Sequence, residues 1–429
     1  MKKCLVMFLC VLVSLGMLFA NGTQESETQK KTKIRFAVKS VGKDYELMKE
    51  ASETYESLHP DIDIELVETP ESSTDRLGLY LQYFEAKSSE LDAVLIDVVW
   101  PGELSEHLID LNEYGAASYT SQHFPTMVQN NIVHGKLVAM PLYTDAGVLY
   151  YRTDLLKKYG FSEPPKTWSE LEHISQVVQA GERAAGNEDF WGYVWQGNAY
   201  EGLSCNALEW VYSNGGGTIM DKDGTVTINN PKAAAGLDMA ANWVGTISPS
   251  GVTGFVEEDA RSAFQAGNAM FMRNWPYCYS LGQSDSSAIK GKFDLTLLPT
   301  NVEGKNACTL GGWQLAVSKY SKHPQEAVDF IFYLSGKEEQ KRRAIKGSYE
   351  PTIQSLYSDA DIINANPFFT KLYDVFLNAV PRPSTASAPN YAQVSKIFYS
   401  YTHNVLEKQM SGADAVTAMS MDMAEYSNK

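Results

Sequence analysis

Acidic and aromatic residues recur in this chain where a predicted strand gives way to a loop. Asp97 and Trp100 lie at the end of the apolar stretch 94–100, whose β-branched residues are typical of a buried strand in a parallel sheet. A carboxylate is costly to bury unless it meets a partner, and ligands of open α/β sheets lie just outside the carboxyl ends of the strands. An acid beside an indole can bind hydroxyl groups there and stack against a sugar ring. The alternative is a structural Asp97 bonded to a neighbouring loop.

The same pattern of a polar or aromatic residue near a strand end appears three more times. The further instances are Tyr143 with Asp145, Trp275 with Tyr277, and Gly311-Gly312-Trp313. A tryptophan taken singly belongs to the core more often than to a ligand platform, and a single glycine marks a bulge or close packing. The repetition predicts one cleft, in which carboxylates accept hydrogen bonds from vicinal hydroxyls, indoles cover the apolar ring faces and glycines let backbone amides approach.

Two arginines are candidates for the complementary donors of such a cleft. Arg76 and Arg382 can each donate a fork of hydrogen bonds to hydroxyl oxygens and also hold a carboxylate in place. Arg382 lies between two prolines, so its alternative is a surface arginine in a proline-rich loop.

Catalytic signatures are absent from the sequence. It contains no GxSxG, HExxH, Walker loop or GxGxxG, and its seven histidines have no metal-ligand spacing. We therefore predict a binding protein rather than an enzyme, with no cofactor and no metal. Three rival functions stay open. They are a glycoside hydrolase that uses two of the carboxylates as acid and nucleophile, a receptor for a different solute such as a polyamine or a peptide, and a purely structural envelope protein.

Chain length and charge limit the remaining classes. A chain of 429 residues exceeds the size at which one core keeps growing, so we expect at least two domains. The formal net charge of −16 argues against a nucleic-acid partner, which requires a basic face. Beyond the first 20 residues the cysteines are Cys205, Cys278 and Cys308, and buried inert thiols are the default for such scattered residues.

The N-terminus resembles an export signal. Lys2 and Lys3 precede an apolar run over residues 4–20, which predicts a signal peptide over residues 1–20 and an exported protein. A polar tether over residues 21–32 follows. An uncleaved anchor is the alternative because the apolar run is almost long enough to span a membrane.

Strand and helix patterns alternate along the chain, which indicates an α/β fold. Alternating strands at 34–38 and 62–67 flank an amphipathic helix, and a second helix leads to the Asp97 strand. Thr167 opens a predicted capping box, and Asn230 precedes a proline at the first position of another helix.

Several of these motifs, in this order, resemble extracellular solute-binding proteins of carbohydrate ATP-binding-cassette importers, most closely the trehalose/maltose-binding subgroup. The resemblance covers nearly the whole chain from about Ile34. It rests on Asp97-Val98-Val99-Trp100, residues 143–152, residues 165–168, residues 212–216, Arg273-Asn274-Trp275-Pro276, residues 310–313 and Val380-Pro381-Arg382-Pro383.

The resemblance implies a two-lobed periplasmic-binding-protein fold with discontinuous lobes and a multi-strand hinge. We expect an N-terminal lobe from residues 33–143 and 297–342, and a C-terminal lobe from residues 146–292 and 345–429. A monomer would bind an α-glucoside disaccharide of the maltose or trehalose type and deliver it to a membrane permease. The lipid-anchoring cysteine common in exported members is not at its expected place.

Ligand contacts in that subgroup fall at positions that match ten residues here, and the strand-end pattern adds Trp100 and Tyr277. The matching residues are Asp44, Ser73, Arg76, Asp97, Tyr143, Asp145, Trp275, Gly312, Trp313 and Arg382. Asp44 stands where members of the subgroup often carry glutamate.

Overall fold

The computed structural model describes residues 31–370 and 379–426. The predicted signal peptide and nearly all of the predicted tether therefore lie outside the described residues. The first strand begins at Thr32, the last residue of that tether. Among the described helices, none has the length and apolar character needed to cross a membrane.

Eleven strands form two main sheets and one short hairpin in the described residues. They are β1 (Thr32–Lys39), β2 (Ile62–Thr69), β3 (Ala93–Asp97), β4 (Ile132–Val133), β5 (Lys136–Leu137), β6 (Met140–Ala146), β7 (Val148–Arg152), β8 (Trp191–Val194), β9 (Ala269–Asn274), β10 (Phe293–Thr296) and β11 (Leu310–Val317).

Sixteen α-helices accompany the strands in the described residues. They are α1 (Asp44–Leu58), α2 (Ser73–Glu85), α3 (Pro101–Leu104), α4 (Ala117–Thr120), α5 (Pro125–Asn130), α6 (Thr153–Lys158), α7 (Trp168–Ala184), α8 (Glu201–Ser213), α9 (Pro231–Trp243), α10 (Glu257–Gln265), α11 (Cys278–Gly282), α12 (Pro324–Ser335), α13 (Lys337–Gly347), α14 (Ala360–Ala365), α15 (Tyr391–Leu406) and α16 (Gly412–Met423).

The first sheet has the strand order β2-β1-β3-β11-β6. Its strands β1, β2 and β3 are parallel, as the strand–helix–strand pattern predicts, and every residue of β3 is buried. The strand β11 runs antiparallel to both β3 and β6. The start of β11 therefore lies beside the carboxyl end of β3.

The second sheet has the strand order β10-β7-β9-β8. Its helix α7 begins at the predicted capping box, in which Thr167 and Glu170 satisfy each other's backbone amides. Asn230 caps α9 through the amide of Ala233, with Pro231 in the first turn. Local sequence thus sets the start of both helices.

The chain crosses between the sheets several times, which confirms the two-lobed fold with a multi-strand hinge. A single residue, Gly147, separates β6 of the first sheet from β7 of the second. The segment between β10 and β11 crosses back, and Thr309 pairs there with Val380. A β-carbon on Gly147 would come 2.1 Å from Glu209 Oε1, so this crossing has no room for a side chain.

The lobe boundaries remain a prediction, but two contacts bear on the segment after α13. Ile353 pairs with His123 in an isolated bridge, and the ring of Tyr357 packs edge-on against Phe124. Residues around 353–357 therefore pack on the first lobe, whereas the sequence prediction counts them with the second.

Candidate functional site

Three neighbouring strands of the first sheet bring their polar ends to one edge. Asp97 is the last residue of β3, and its register partner in β11 is Trp313. Two residues earlier in β11, Gly311 pairs with Asp145 of β6. The antiparallel direction of β11 is the reason that residues from the start of one strand and the end of another lie side by side.

The two glycines of β11 permit close approach at this edge. A β-carbon on Gly312, whose φ is +129°, would lie 2.7 Å from the carbonyl oxygen of Tyr143. A β-carbon on Gly311 would lie 2.9 Å from Cζ3 of Trp275, which belongs to the other lobe. Larger residues would therefore push the cleft open or distort the strand.

The second lobe presents Trp275 directly after β9. One neighbour of the indole is the guanidinium of Arg273, whose Cζ lies 4.1 Å from the ring centroid. Glu209 holds that guanidinium through two hydrogen bonds of 2.9 and 2.6 Å. The backbone amide of Thr309, in a hinge segment, donates to the same Glu209 carboxylate at 3.1 Å. The indole thus rests on an ion pair that also contacts the hinge.

Arg382 joins the two lobes. Its guanidinium donates to Asp97 Oδ1 of the first lobe at 3.0 Å and to Glu201 Oε1 of the second lobe at 2.7 Å. Tyr391 and Ser395 also donate to Glu201. Burial raises the pKa of Glu201, and the neighbouring arginine opposes this shift. A buried arginine between two carboxylates is a clasp across the cleft, and the alternative of a surface arginine is wrong because Arg382 is only 4% exposed.

The cleft between the lobes, counted together with the solvent space at its mouth, measures about 560 Å³. Most of the predicted site residues line it: Ser73, Asp97, Asp145, Trp275, Tyr277, Gly312, Trp313 and Arg382. The structure adds Lys39, Val41, Glu71, Glu201, Gly202, Cys205, Glu257 and Gly311 to this lining.

Four predicted site residues do not line the cavity: Asp44, Arg76, Trp100 and Tyr143. They lie behind residues that do line it. Trp100 meets Trp313 edge to face at 5.7 Å between ring centroids, and the guanidinium of Arg76 lies 4.8 Å from the Trp313 ring. Asp44 pairs with Arg343 at 2.8 Å and accepts from the Tyr143 hydroxyl at 3.1 Å. These contacts position Trp313 and fix Asp44 within the first lobe.

Lys39 is a cavity residue that the sequence analysis missed. Its ammonium lies 4.4 Å from the Trp313 ring and 3.4 Å from Asp44 Oδ2. Burial lowers the pKa of Lys39, and the Asp44 carboxylate opposes this effect. Lys39 ends β1, so the strand-end rule that selected Asp97 would have selected it as well.

Two further cavity acids begin helices of the second lobe. Glu201 is the first residue of α8 and Glu257 the first of α10, where a helix dipole favours negative charge. Glu257 accepts from the indole nitrogen of Trp275 at 3.4 Å and from the hydroxyl of Tyr200 at 2.5 Å. The sequence signal for Glu201 and Glu257 was an acid in the first turn of a helix. This signal is weak, because many helices that are far from any site also carry an acid in the first turn.

The arrangement suits an uncharged polyhydroxylated ligand. Carboxylates from both lobes can accept hydrogen bonds from hydroxyls, Lys39 and Arg382 can donate, and Trp275 and Trp313 supply apolar ring surface. Charge alone does not separate this ligand from a polyamine, because five carboxylates line the cavity together with two cations, Lys39 and Arg382.

Two comparisons of the sequence place the chain among known proteins. Residues 39–341 match the family described as bacterial extracellular solute-binding protein. A relative from Deinococcus radiodurans, named a probable ABC transporter-binding protein, is 50% identical over 396 residues, which cover 92% of this chain and 94% of the relative.

Solved structures resemble the chain over almost its whole length. Maltose-bound MalE3 of T. maritima has a TM-score of 0.87 and 39% identity, covering 91% of this chain and 98% of that one. The GacH receptor of Streptomyces glaucescens, solved unliganded and with acarbose, has a TM-score of 0.81 and covers 92% of this chain and 98% of that one. At 21% identity, the second similarity shows the fold alone.

Proposed function

Because the chain belongs to the bacterial extracellular solute-binding protein family, we propose that it is the carbohydrate receptor of an ATP-binding-cassette importer, with an α-linked glucose disaccharide such as maltose or trehalose as its ligand. The observation that carries this proposal is the cleft itself. Acids, indoles and two basic side chains, Lys39 and Arg382, are far apart in sequence and line one cavity between the lobes. The maltose-bound structure at 39% identity supports the choice of sugar.

Each cavity group has a role in this proposal. Asp97 and Asp145 accept from sugar hydroxyls, and Lys39 and Arg382 donate. Trp275 from the second lobe and Trp313 from the first lobe each cover one pyranose ring. Because the two indoles come from different lobes, the ligand touches both halves only when the cleft is closed. That difference in contact shifts the population toward the closed state by a hinge motion.

Export and delivery follow from the same proposal. We place the protein in the periplasm, brought there by residues 1–20 as a signal peptide. The closed monomer presents its acidic surface, with a net charge of −16 for the whole chain, to a membrane permease. Its role is binding, without chemical change to the sugar.

Calorimetry with a panel of ligands tests this function. Purified protein is titrated with maltose, trehalose, sucrose, glucose and spermidine at one pH and salt concentration. We expect maltose or trehalose to bind at least tenfold more tightly than glucose, because a monosaccharide reaches only one of the two indoles. Preferential binding of spermidine, or no binding of any sugar, would contradict the proposal.

A long incubation separates the receptor from a glycoside hydrolase. Maltose and trehalose are each incubated with stoichiometric protein, and free glucose is assayed over a day. We expect no glucose above a protein-free control. Sustained release at a rate proportional to protein concentration would show hydrolase activity, for which the cavity carboxylates are the candidate catalytic groups.

A further inference from the structure

Glu350 is a fully buried acid that lies beside the cavity but does not line it. It is 0% exposed, and its carbonyl oxygen accepts from the backbone amide of Thr144 at 3.0 Å. Thr144 and Glu350 form an isolated bridge. This pairing fixes Glu350 next to Asp145, the last polar residue of β6 before the hinge crossing at Gly147.

The two acids have few other hydrogen-bond partners. In the described part of the chain, no side chain outside the pair donates to either carboxyl oxygen of Glu350 or to Oδ1 of Asp145. The backbone bridge places Glu350 beside Asp145, and each carboxyl group acts on the pKa of the other through a side-chain hydrogen bond. Two ionised carboxylates in such contact repel each other, whereas one proton between them makes a strong O–H···O⁻ hydrogen bond.

The surroundings of the pair favour retention of a proton. Burial raises the pKa of Asp145 to about 7, against the opposing charges of Lys39 and Arg273, while Asp44 adds to the rise. Burial and the neighbouring Asp145 also raise the pKa of Glu350. The other titratable groups that interact with Asp145 are the hydroxyls of Tyr143, Tyr150 and Tyr349 and the thiol of Cys278.

We propose that Glu350 is a positioning residue that shares one proton with Asp145, so that the Asp145 carboxyl is held in place to accept from a sugar hydroxyl and sugar affinity depends on that proton. The inference rests on the proposed function, since it concerns how the same cavity grips its sugar. Glu350 itself does not touch the ligand. It acts by donating to Oδ1 of Asp145, which is fully buried, and leaving Oδ2 for the ligand.

The sign of the pH effect follows from the shared proton. When pH rises and the proton leaves, two negative groups remain in contact, and their repulsion displaces Asp145 from its binding position. Sugar affinity therefore falls with rising pH, by as much as roughly tenfold per pH unit for a one-proton linkage. Lys39 also releases its proton more readily than an exposed lysine because burial lowers its pKa, so a variant that retains Lys39 is needed to separate the two groups.

Glu350→Gln is that variant, because its amide donates to Asp145 at every pH. The dissociation constant for maltose is measured between pH 6 and 10 for the natural protein, E350Q and E350A. We expect the affinity of the natural protein to fall with rising pH from near neutrality. E350Q should lose this fall and keep only the part that Lys39 contributes at higher pH, and E350A should bind weakly throughout. Glu103→Gln is the control, since burial also raises the pKa of Glu103 but Glu103 does not line the cavity. It should keep the natural pH profile.

An independent measurement needs no sugar. Infrared difference spectra of the ligand-free protein, recorded over the same pH range, report the band of a protonated carboxylic acid. We expect that band near neutral pH in the natural protein and its reduction in E350Q. If the band is identical in both, or if E350Q keeps the fall in sugar affinity from near neutrality, the shared proton is refuted. If maltose fails to bind at any pH while the band behaves as expected, the choice of sugar is wrong instead.

Discussion

Replacement of Trp275 by alanine tests the sugar platform most directly. The indole lines the cavity and is partly buried, with the Arg273 guanidinium 4.1 Å from its ring centroid. Arg273 keeps its two hydrogen bonds to Glu209 in the variant, so the buried ion pair stays satisfied. The main loss is therefore the ring surface that the sugar would cover.

We estimate the loss of binding free energy from the truncation of buried aromatic side chains in protein interfaces. Truncation of such an anchor costs roughly 2–4 kcal/mol. At 1.4 kcal/mol per factor of ten, this weakens the dissociation constant by about 30- to 700-fold. The indole also donates to Glu257 at 3.4 Å, a long hydrogen bond whose loss adds little.

Trp191→Ala is the matched control for this change. Trp191 begins β8 in the same sheet, is also partly buried, and lies under an arginine, Arg183, at 4.3 Å. It does not line the cavity. Calorimetry with maltose should show the predicted loss for W275A and a change of less than twofold for W191A, with thermal melts to verify that both variants fold.

Two results would refute this reasoning. If W275A binds maltose within a factor of two of the natural protein, the ring is not a sugar platform. If W191A loses as much affinity as W275A, the effect comes from weakening of the second lobe as a whole.

Three other substitutions follow from the same contacts. Arg382→Gln leaves two buried carboxylates without their cation, so X-ray scattering with saturating maltose should show a more open protein and calorimetry at least tenfold weaker binding; an unchanged profile would exclude the clasp. Gly312→Ala places a β-carbon 2.7 Å from the Tyr143 carbonyl at φ +129°, and we expect a loss of about 1–3 kcal/mol in urea unfolding; an unchanged midpoint would show that the strand yields. Burial lowers the pKa of His123 from 6.5 to about 4, so between those pH values the unfolded chain takes up a proton that the folded chain does not. Stability present above pH 6.5 is then lost as pH falls, by about 3 kcal/mol, and His123→Gln should flatten this part of the unfolding profile.

Several features of the fold were predictable because they depend on neighbouring residues. The buried run before Asp97, the capping box at Thr167 and the Asn230–Pro231 helix start all appear as predicted. The turn residues Asp221-Lys222-Asp223-Gly224 predict a hairpin, but the structure has only one bridge there, between Met220 and Val226. Its turn forms, but too few residues pair beyond the turn to make strands.

The ion pair of Asp44 could not be predicted from the local sequence. Its residue type and position suggested a sugar ligand, but Arg343, distant in sequence, reaches it through α13 and binds it at 2.8 Å. Which cation meets a buried acid depends on how helices pack, and no periodicity in the sequence encodes that distance.

The sequence by itself determined which residues end strands, because the alternation of side chains and the cost of a buried acid are both local. It therefore identified Asp97, Asp145, Trp275 and Trp313 as one class. Lys39 belongs to the same class, since it ends β1. Only the tertiary structure decided that the helix-start acids Glu201 and Glu257 join them in the cavity, and that Glu350 lies beside Asp145. These contacts form because the chain crosses between two lobes that pack against each other. Helix starts and strand ends that are distant in sequence therefore line a single cavity.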